Sequence, residues 1–283
     1  MPADPSPSSA WIETYRGTVF RWEVDDNDHF TVAYYMVRIA DASVTMLRTL
    51  GLGLAPTLEC FIRYQRELRV GDIMHIDSAV IGVDGGSVVL GHKLFESATG
   101  ELCTTVAQRV AAPLDSTTRK TLEARRIAWD GPARDVRPRP GRLDGFRVSS
   151  RDTVKPWEID LTGQLSLSAA VHRFTASNAH VLAAFGVTPA YMRGSHRGFS
   201  TFEFQLGLVG EVQAGDPLVV RSALVHVGNS SLRLFHTMLD ERSGTEVASL
   251  EQSGVHFDQD RRRPAPLPDD LRARALAVLV RPD

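Results

Sequence analysis

Cysteine is nearly absent from this chain, whose 283 residues include two, Cys60 and Cys103. Both stand in apolar runs without the spacing of metal ligands, so we expect neither a disulfide framework nor a metal site. No 18 apolar residues run together, so the sequence predicts no transmembrane helix. A formal net charge of −2 argues against a general basic field for nucleic acid or a membrane surface.

The first ten residues also lack a targeting signal. MPADPSPSSA has neither a charged n-region nor an apolar h-region. The rest of the composition, 43% apolar and 23% charged, is ordinary for a soluble globular protein. We therefore expect a cytoplasmic protein with no cofactor and with no nucleic acid or membrane as a partner.

What the sequence does contain is an internal repeat. The letters WEVD at 22–25 return as WEID at 157–160, an offset of 135 residues, and GD at 71–72 returns at 215–216, an offset of 144. At the second offset Ser78-Ala79, His92, Gly100 and Gln108 recur as Ser222-Ala223, His236, Gly244 and Gln252. Because chance rarely preserves order over so long a stretch, we predict two copies of one unit, folded together as a pseudo-dimer within the chain. Further assembly into a homo-oligomer stays open.

The apolar residues of both copies show the same order of strand-like and helical patterns. In the first, 15–25 has strand character, and 30–50 has a helical apolar stripe formed by Ala33, Val37, Ala40, Val44 and Leu47. Strand-like runs follow over 57–69, 73–83, 87–96 and 101–113. The second copy predicts a strand over 151–160, a helix over 165–186 and strands near 199–213, 217–227, 231–240 and 245–258.

These patterns set the predicted boundaries. We expect a tail over 1–14, unit 1 over 15–118, a linker over 119–150, unit 2 over 151–259, and a C-terminal tail with a short helix over 260–283. The linker is rich in Arg, Pro, Gly and Asp.

The order of one strand, a long helix and an antiparallel meander is that of the hotdog fold, an α+β class in which a curved sheet wraps the helix. DDNDHFT at 25–31 resembles the D-x-N-x-H-[VM]-N signature of hotdog thioesterases, which include the 4-hydroxybenzoyl-CoA thioesterase-like family and the acyl-ACP thioesterases. The segment 57–72 resembles their T-x-E-x-x-x-x-Y-x-R-E-L-x-x-G-D strand. The resemblance, stronger over 15–115 than over 151–258, implies a tandem double hotdog that hydrolyses an acyl-CoA or acyl-carrier-protein thioester.

The resemblance also implies roles for residues of the first motif. Asp25 takes the position of the catalytic Asp, and the amide near Val32 takes that of the oxyanion donor, where a helix N-terminus offers free N–H groups. Asn27 and His29 match the Asn and His of the motif and can hydrogen-bond a water or the thioester oxygen. Thr31 departs from the pattern, since Asn is usual there.

Each of these assignments has a structural alternative. Asp25 and Asp26 are residue types that commonly cap a helix N-terminus, and His29 fits equally well as a core histidine. Glu59 faces away from an apolar side of its strand. For Glu59 a catalytic role and a structural hydrogen bond to the helix start remain equally open.

The second copy has a degraded motif. It reads Asp160-Leu161-Thr162-Gly163-Gln164, so the Asp survives while Thr and Gln stand for Asn and His. Asp160 and Glu203 therefore mark a second active site, a recognition half-site or a structural remnant. We expect one working site, in the first copy.

Two other functions stay open. A hotdog hydratase or dehydratase also uses an Asp and a His, but its motif places the His five residues after the Asp, whereas His29 is four after Asp25. The third function is a non-catalytic module that binds an acyl thioester. Release of free thiol from acyl-CoA, hydration of enoyl-CoA, or binding without turnover would distinguish the three.

Overall fold

The computed structural model describes residues 10–25 and 28–281, in two compact units, Met1–Pro132 and Ala133–Asp283. Cys60 and Cys103 are buried and free. Within the described part of the chain, no helix combines the length and apolar character needed to span a membrane.

Unit 1 is an antiparallel sheet with a long helix against it. Its elements are β1 (Ile12–Thr18), α1 (Val32–Thr49), β2 (Thr57–Tyr64), β3 (Ile73–Asp84), β4 (Ser87–Glu96), β5 (Leu102–Ala111) and α2 (Ser116–Arg125). The strands lie side by side in the order β1-β3-β4-β5-β2, and every neighbouring pair is antiparallel. Helix α1 packs on β1, β3 and β4.

Unit 2 repeats this plan. Its elements are β6 (Arg147–Thr153), α3 (Leu167–Ala183), α4 (Pro189–Ser195), β7 (Arg197–Leu208), β8 (Pro217–Val227), β9 (Ser231–Asp240), β10 (Glu246–Asp258), β11 (Arg263–Pro264) and α5 (Asp269–Ala277). The order is β6-β8-β9-β10-β7, again antiparallel, with β11 added to β10. Helix α4 lies after Gly186, in the segment where the repeat offset grows from 135 to 144 residues. Each unit therefore has the strand, the long helix and the four further antiparallel strands predicted from the repeat. Only three of the four form a meander, β3-β4-β5 and β8-β9-β10, because β2 and β7 pair with the last strand of their unit.

The strands predicted over 15–25 and 151–160 end earlier than expected. The chain turns instead into short 3-10 segments, Arg21–Glu23 and Pro156–Glu158. The Glu23 carboxylate accepts the Phe20 N–H at 3.0 Å, and the Glu158 carboxylate accepts the Lys155 N–H at 2.7 Å. These local bonds compete with a strand ladder and redirect the backbone, which side-chain alternation alone does not reveal.

The core face of α1 also differs from the predicted stripe, of which Leu47 alone is fully buried. The buried residues are Tyr35, Met36, Ile39, Ala42, Ser43, Met46 and Leu47. The helix is apolar around most of its circumference, so periodicity did not single out the face that meets the sheet. Ser43 is buried because its hydroxyl donates to the Ile39 carbonyl at 2.8 Å and to the Gln108 side chain.

The segment expected as a linker over 119–150 begins inside α2 and ends inside β6. Asp115 caps α2 by accepting the Thr118 N–H at 2.7 Å, and Leu122 is buried beneath that helix. Asp and Thr at such a start are a recognisable capping signal.

A buried hydrogen-bond network explains why separated polar residues recur in the repeat. In unit 1, Ser78 Oγ lies 2.6 Å from His92 Nδ1, and His92 Nε2 lies 3.0 Å from Gln108 Oε1. Gln108 Nε2 donates to Thr57 Oγ1 at 2.7 Å. These side chains join β3, β4, β5 and β2 across the sheet, so the network ties four strands together.

Unit 2 keeps the serine–histidine and glutamine–threonine bonds of this network but lacks the bond between the histidine and the glutamine. Ser222 Oγ lies 2.6 Å from His236 Nδ1, and Gln252 Nε2 donates to Thr201 Oγ1 at 2.6 Å. His236 Nε2 and Gln252 Oε1 have no hydrogen-bond partner among the described residues.

Burial lowers the pKa of His92 to about 4 and that of His236 to about 3, so both imidazoles are neutral at pH 7.

These lowered pKa values predict a pH dependence of stability. An unfolded histidine titrates near 6.5, so the unfolded chain binds more protons below that pH and the free energy of unfolding falls. The His92 contribution should be lost as pH drops from about 6.5 to about 4, a loss on the order of 3 kcal/mol. Urea unfolding at pH 7 and pH 5 should show a smaller pH difference for His92→Gln than for wild type. The exposed His172→Gln is the matched control and should unfold like wild type at both pH values.

Candidate active site

The segment between the 3-10 turn and α1 of unit 1 forms a closed loop. Val24 and Phe30 pair as an isolated antiparallel bridge. Inside it the Asp25 N–H donates to the His29 carbonyl at 2.9 Å, and the Asp28 N–H donates to the Asp25 carbonyl at 3.0 Å. Asp28 has a φ of 61°, in the left-handed region that favours glycine. A glycine would adopt this conformation without steric cost.

Asp25 is exposed at the start of this loop. Its Oδ1 accepts the main-chain N–H of His29 at 3.0 Å, which fixes the carboxylate against the loop that it belongs to. The predicted partners Asp26 and Asn27 lie outside the described residues.

Helix α1 begins directly after this loop with an open N-terminus. Thr31 is its N-cap residue, but its side chain makes no capping hydrogen bond. The Thr31 N–H donates to the Glu23 carbonyl at 2.9 Å, and the Tyr34 N–H donates to the Thr31 carbonyl at 2.9 Å. Within the described part of the chain, the N–H groups of Val32 and Ala33 have no acceptor. Two donors at the positive end of a helix are therefore available to an anion or an oxyanion.

The His29 side chain lies beside a carboxylate that sequence reasoning did not select. His29 Nε2 is 3.1 Å from Glu67 Oε2, and both side chains are partly exposed. The Phe30 N–H donates to the Leu68 carbonyl at 2.8 Å, which fastens the loop to the segment after β2. The signal for Glu67 was the R-E-L element of the second motif, which follows β2 closely enough to return to the loop.

A buried ion pair holds the loop from beneath and was also missed. The carboxylate of Glu23, 4% exposed, pairs with the guanidinium of Arg38 on α1, 13% exposed. Unit 2 repeats the pair as Glu158 and Arg173, with an N–O distance of 2.7 Å. Both partners recur at the 135-residue offset, so the repeat contained the signal.

Glu59 lies at another part of unit 1. It stands near the start of β2, where its carboxylate accepts from Arg109 Nε at 2.9 Å. The loop instead contacts the chain just beyond the far end of β2, through the bond from the Phe30 N–H to the Leu68 carbonyl. The helix that follows the loop also contacts this end of β2, because Tyr64 packs on Tyr35 with ring centroids 5.3 Å apart. Tyr64 is five residue steps beyond Glu59 in sequence, or roughly 17 Å along the extended strand. Glu59 therefore carries a structural bond to Arg109, and its catalytic role remains a prediction.

The corresponding loop of unit 2 keeps the backbone but changes the carboxylate. Asp160 Oδ1 accepts from the Thr162 N–H at 2.8 Å, the Thr162 hydroxyl at 2.6 Å and the Gln164 N–H at 3.1 Å. Gly163, with a φ of 84°, takes the place of Asp28. Ser166 caps α3 by accepting the Ala169 N–H at 3.2 Å. The loop geometry is thus preserved, while Asp160 is occupied by its own turn.

Glu203, the other predicted residue of a second site, is engaged in a buried cluster. It is 2% exposed, and its carboxylate lies 2.8 Å from Arg137. Arg137 also pairs with Glu251, and the two carboxylates together raise the pKa of the guanidinium against the effect of burial. Glu203 is thus buried and bonded to an arginine that it shares with Glu251, an arrangement typical of a structural role.

Comparison with known proteins agrees with the resemblance found in the motifs. The family model of the thioesterase-like superfamily matches residues 19–126 and 154–275, once in each unit. A search of curated protein sequences found no significant match.

Solved structures share the fold. The 12:0-ACP thioesterase from Umbellularia californica matches 88% of this chain and 95% of its own, with a TM-score of 0.66 and 11% identity. An acyl-ACP thioesterase from Bacteroides thetaiotaomicron VPI-5482 matches 87% of this chain and 98% of its own, with a TM-score of 0.63 and 14% identity. The predicted α+β tandem double hotdog is confirmed.

The Glu23–Arg38 pair yields a prediction about stability. Arg38→Met should lower the free energy of unfolding by about 3 kcal/mol or more, because it leaves the Glu23 carboxylate buried without its cation. The midpoint of urea unfolding measures the effect. Arg48→Met, at an exposed position of the same helix, should change stability by less than about 0.5 kcal/mol. Equal midpoints for the two variants would refute the assigned role of the pair.

Proposed function

The chain belongs to the thioesterase-like superfamily and is a thioester hydrolase, and we propose that Asp25 is the carboxylate with which it hydrolyses an acyl thioester. The observation that carries this proposal is the position of Asp25. Its carboxylate opens a tight loop that ends at a helix N-terminus where the N–H groups of Val32 and Ala33 await an acceptor. A base and an oxyanion site thus lie on one short segment.

The two N–H groups would bind the thioester carbonyl oxygen. When a nucleophile adds to the carbonyl carbon, negative charge develops on that oxygen. Fixed donors at the positive end of α1 stabilise this charge without having to reorganise during the reaction. Electrostatic stabilisation of this kind is commonly the largest single contribution to acyl transfer.

The Asp25 carboxylate would act on the opposite reactant. As a general base it removes a proton from water while the water oxygen adds to the carbonyl carbon. The carbon–sulfur bond then breaks, and the proton passes to the departing thiolate, so water and thioester yield one carboxylic acid and one thiol. The His29 N–H fixes one carboxylate oxygen and thereby orients the base.

His29 and Glu67 would complete the site. The imidazole stands next to Asp25 in the loop, and the Glu67 carboxylate beside Nε2 restricts its rotation. A ring held in this way can hydrogen-bond a water or the thioester oxygen. We assign His29 this positioning role, with proton transfer left to Asp25.

We infer a single working site, in unit 1, from the residues that form the loop of unit 2. In unit 2 one oxygen of Asp160 already accepts three hydrogen bonds, each of which weakens a carboxylate as a base. Gln164 stands at the position of His29 and cannot transfer protons. We infer that the loop of unit 2 is a structural remnant.

The proposed substrate is an acyl thioester of coenzyme A or of an acyl carrier protein. The family membership supports thioester chemistry, and the solved structures of the same fold described above are named for acyl-ACP substrates. A screen that measures free thiol from short, long, branched and aromatic acyl-CoAs, and from acyl carrier protein, would define the acyl group and the carrier.

Asp25→Asn tests the catalytic carboxylate. The amide keeps the size of the side chain and can still accept the His29 N–H, but it cannot remove a proton from water. We expect kcat to fall about 10²-fold or more, as is typical for loss of a general base, without a change in the unfolding midpoint.

Asp160→Asn is the matched control, because it makes the same change in the loop of unit 2. It should leave kcat within about twofold of wild type, with some loss of stability because the turn loses a charged acceptor. Equal losses of kcat in the two variants would establish two working sites and refute the single-site proposal.

His29→Gln separates hydrolysis from hydration. The glutamine amide can still position a water or a carbonyl, and the main-chain N–H that holds Asp25 is unchanged, so measurable thiol release should persist. In a hydratase the imidazole would share proton transfer, and the variant would be inactive. Wild-type enzyme that adds water to enoyl-CoA without releasing thiol would overturn the proposal.

A further inference from the structure

Unit 2 contains a cleft that is separate from its degraded loop. Its volume is about 610 Å³, and it is bounded by α4, the start of β7, the end of β10 and the segment that leads to α5. Four charged side chains line it, namely Arg197, Arg261, Arg263 and Asp258. We name it the arginine cleft.

The charges of the arginine cleft do not balance. Asp258, 5% exposed at its side chain, accepts the Arg261 N–H at 2.9 Å, and its carboxylate lies 3.1 Å from Arg197 and 3.4 Å from the Arg261 guanidinium. The Arg261 N–H, together with the nearby guanidinium groups, lowers the pKa of Asp258 and keeps it ionised. One negative charge against three positive charges leaves an excess of two.

Arg263 contributes a charge that has no partner within the described part of the chain. The backbone conformation next to Arg263 orients its side chain toward the cleft. Arg262 has a φ of 50°, an uncommon conformation for a residue with a side chain. The reversal at Arg262 lets Arg261 and Arg263, two residues apart on a tight hairpin, line the same cleft, whereas Arg262 does not. Unusual backbone of this kind is concentrated at ligand sites.

The other polar side chains of the cleft are hydrogen-bonded to groups of the protein. His256 Nδ1 lies 2.9 Å from the Ala265 carbonyl, so it carries the proton, and His256 Nε2 accepts from the Tyr191 hydroxyl at 3.1 Å. Ser195 donates to the Tyr191 carbonyl at 2.7 Å. The guanidinium groups therefore remain the donors for a ligand, and guanidinium forks match phosphate oxygens in geometry. The other wall is apolar and consists of Pro264, Ala265, Pro266 and Pro268.

We propose that the arginine cleft binds a phosphate monoester carried on a small organic group. The dianion matches the excess of two positive charges. A volume of about 610 Å³ exceeds the needs of phosphate alone and falls within the usual range for small-molecule sites, and the proline wall offers an apolar surface for the rest of the ligand. The ribose phosphate of coenzyme A and free phosphate share this chemistry. The proposal rests on unit 2 alone and does not depend on catalysis by Asp25.

Calorimetric titration of the full chain tests the proposal with three probes, adenosine 3′,5′-bisphosphate, inorganic phosphate and adenosine. We expect both phosphate probes to bind wild type and adenosine not to bind. Arg263→Gln should weaken phosphate binding about tenfold or more, the scale of a lost charged hydrogen bond, without a change in the unfolding midpoint, because the guanidinium has no protein partner. Arg262→Gln removes the adjacent charge, which does not line the cleft, and should change affinity by less than about twofold.

The two phosphate probes identify the source of the ligand. Tighter binding of the bisphosphate supports a nucleotide phosphate, and equal binding supports free phosphate. Absence of binding by both probes, or equal weakening by Arg262→Gln and Arg263→Gln, would overturn the proposal. None of the probes contains a thioester, so the outcome is independent of whether Asp25→Asn abolishes hydrolysis.

Discussion

The buried ion pair between Glu23 and Arg38 is the interaction on which the geometry of the proposed active-site loop depends. The Glu23 carboxylate holds the Phe20 N–H and the Arg38 guanidinium, while its carbonyl accepts the N–H of Thr31, the N-cap residue of α1. One residue thereby fixes the chain before the loop, the start of the helix and the second turn of the helix. An ion pair in this setting contributes little net stability, because desolvation opposes the attraction, but it strongly disfavours any other arrangement.

Unit 2 has the same set of contacts around its glutamate, which we call the frame, but a different turn between the glutamate and the helix. Glu158 holds Lys155, Arg173 and the N-cap residue Ser166 in the way that Glu23 holds its three partners. The short turn inside the frame has different residues, since Gly163 takes the left-handed position of Asp28 and Thr162 donates to the Asp160 carboxylate. The two units thus share this frame of buried polar groups, while the five-residue turn inside it differs in sequence.

The sequence predicted most of the fold because two copies constrain one another. Six of the eight strands after the long helices have limits within two residues of the predicted ones, since turn glycines and alternating apolar residues mark them locally. β2 and β7 end five residues before the predicted limits. The 3-10 turns at Glu23 and Glu158 could not be predicted from alternation, because a side chain that bonds the backbone three residues earlier overrides it. The burial of Ser43 depends on Gln108, a contact between distant parts of the sequence.

The same distinction holds for the site. The proximity of Asp25 to the start of α1 follows from sequence adjacency and was predicted. The pairing of His29 with Glu67 requires β2 to end beside the loop, and the distance of Glu59 from the loop requires the same register. Periodicity gives the length of a strand but not which of its ends meets a given loop. Tertiary register therefore decides which acids lie beside the loop, and the catalytic roles of Asp25 and Glu59 remain predictions.

The polar network of unit 1 has a directional consequence. Gln108 donates through its nitrogen to Thr57, so its oxygen must face His92 and accept from it, which places the imidazole proton on Nε2. That proton lies inside a side chain with no exposed surface and between bonded partners. It can exchange with solvent deuterium only when the strands of unit 1 separate. The exchange rate of the His92 Nε2 proton thus reports how often the sheet opens, and NMR can measure that rate in protein labelled only with nitrogen-15.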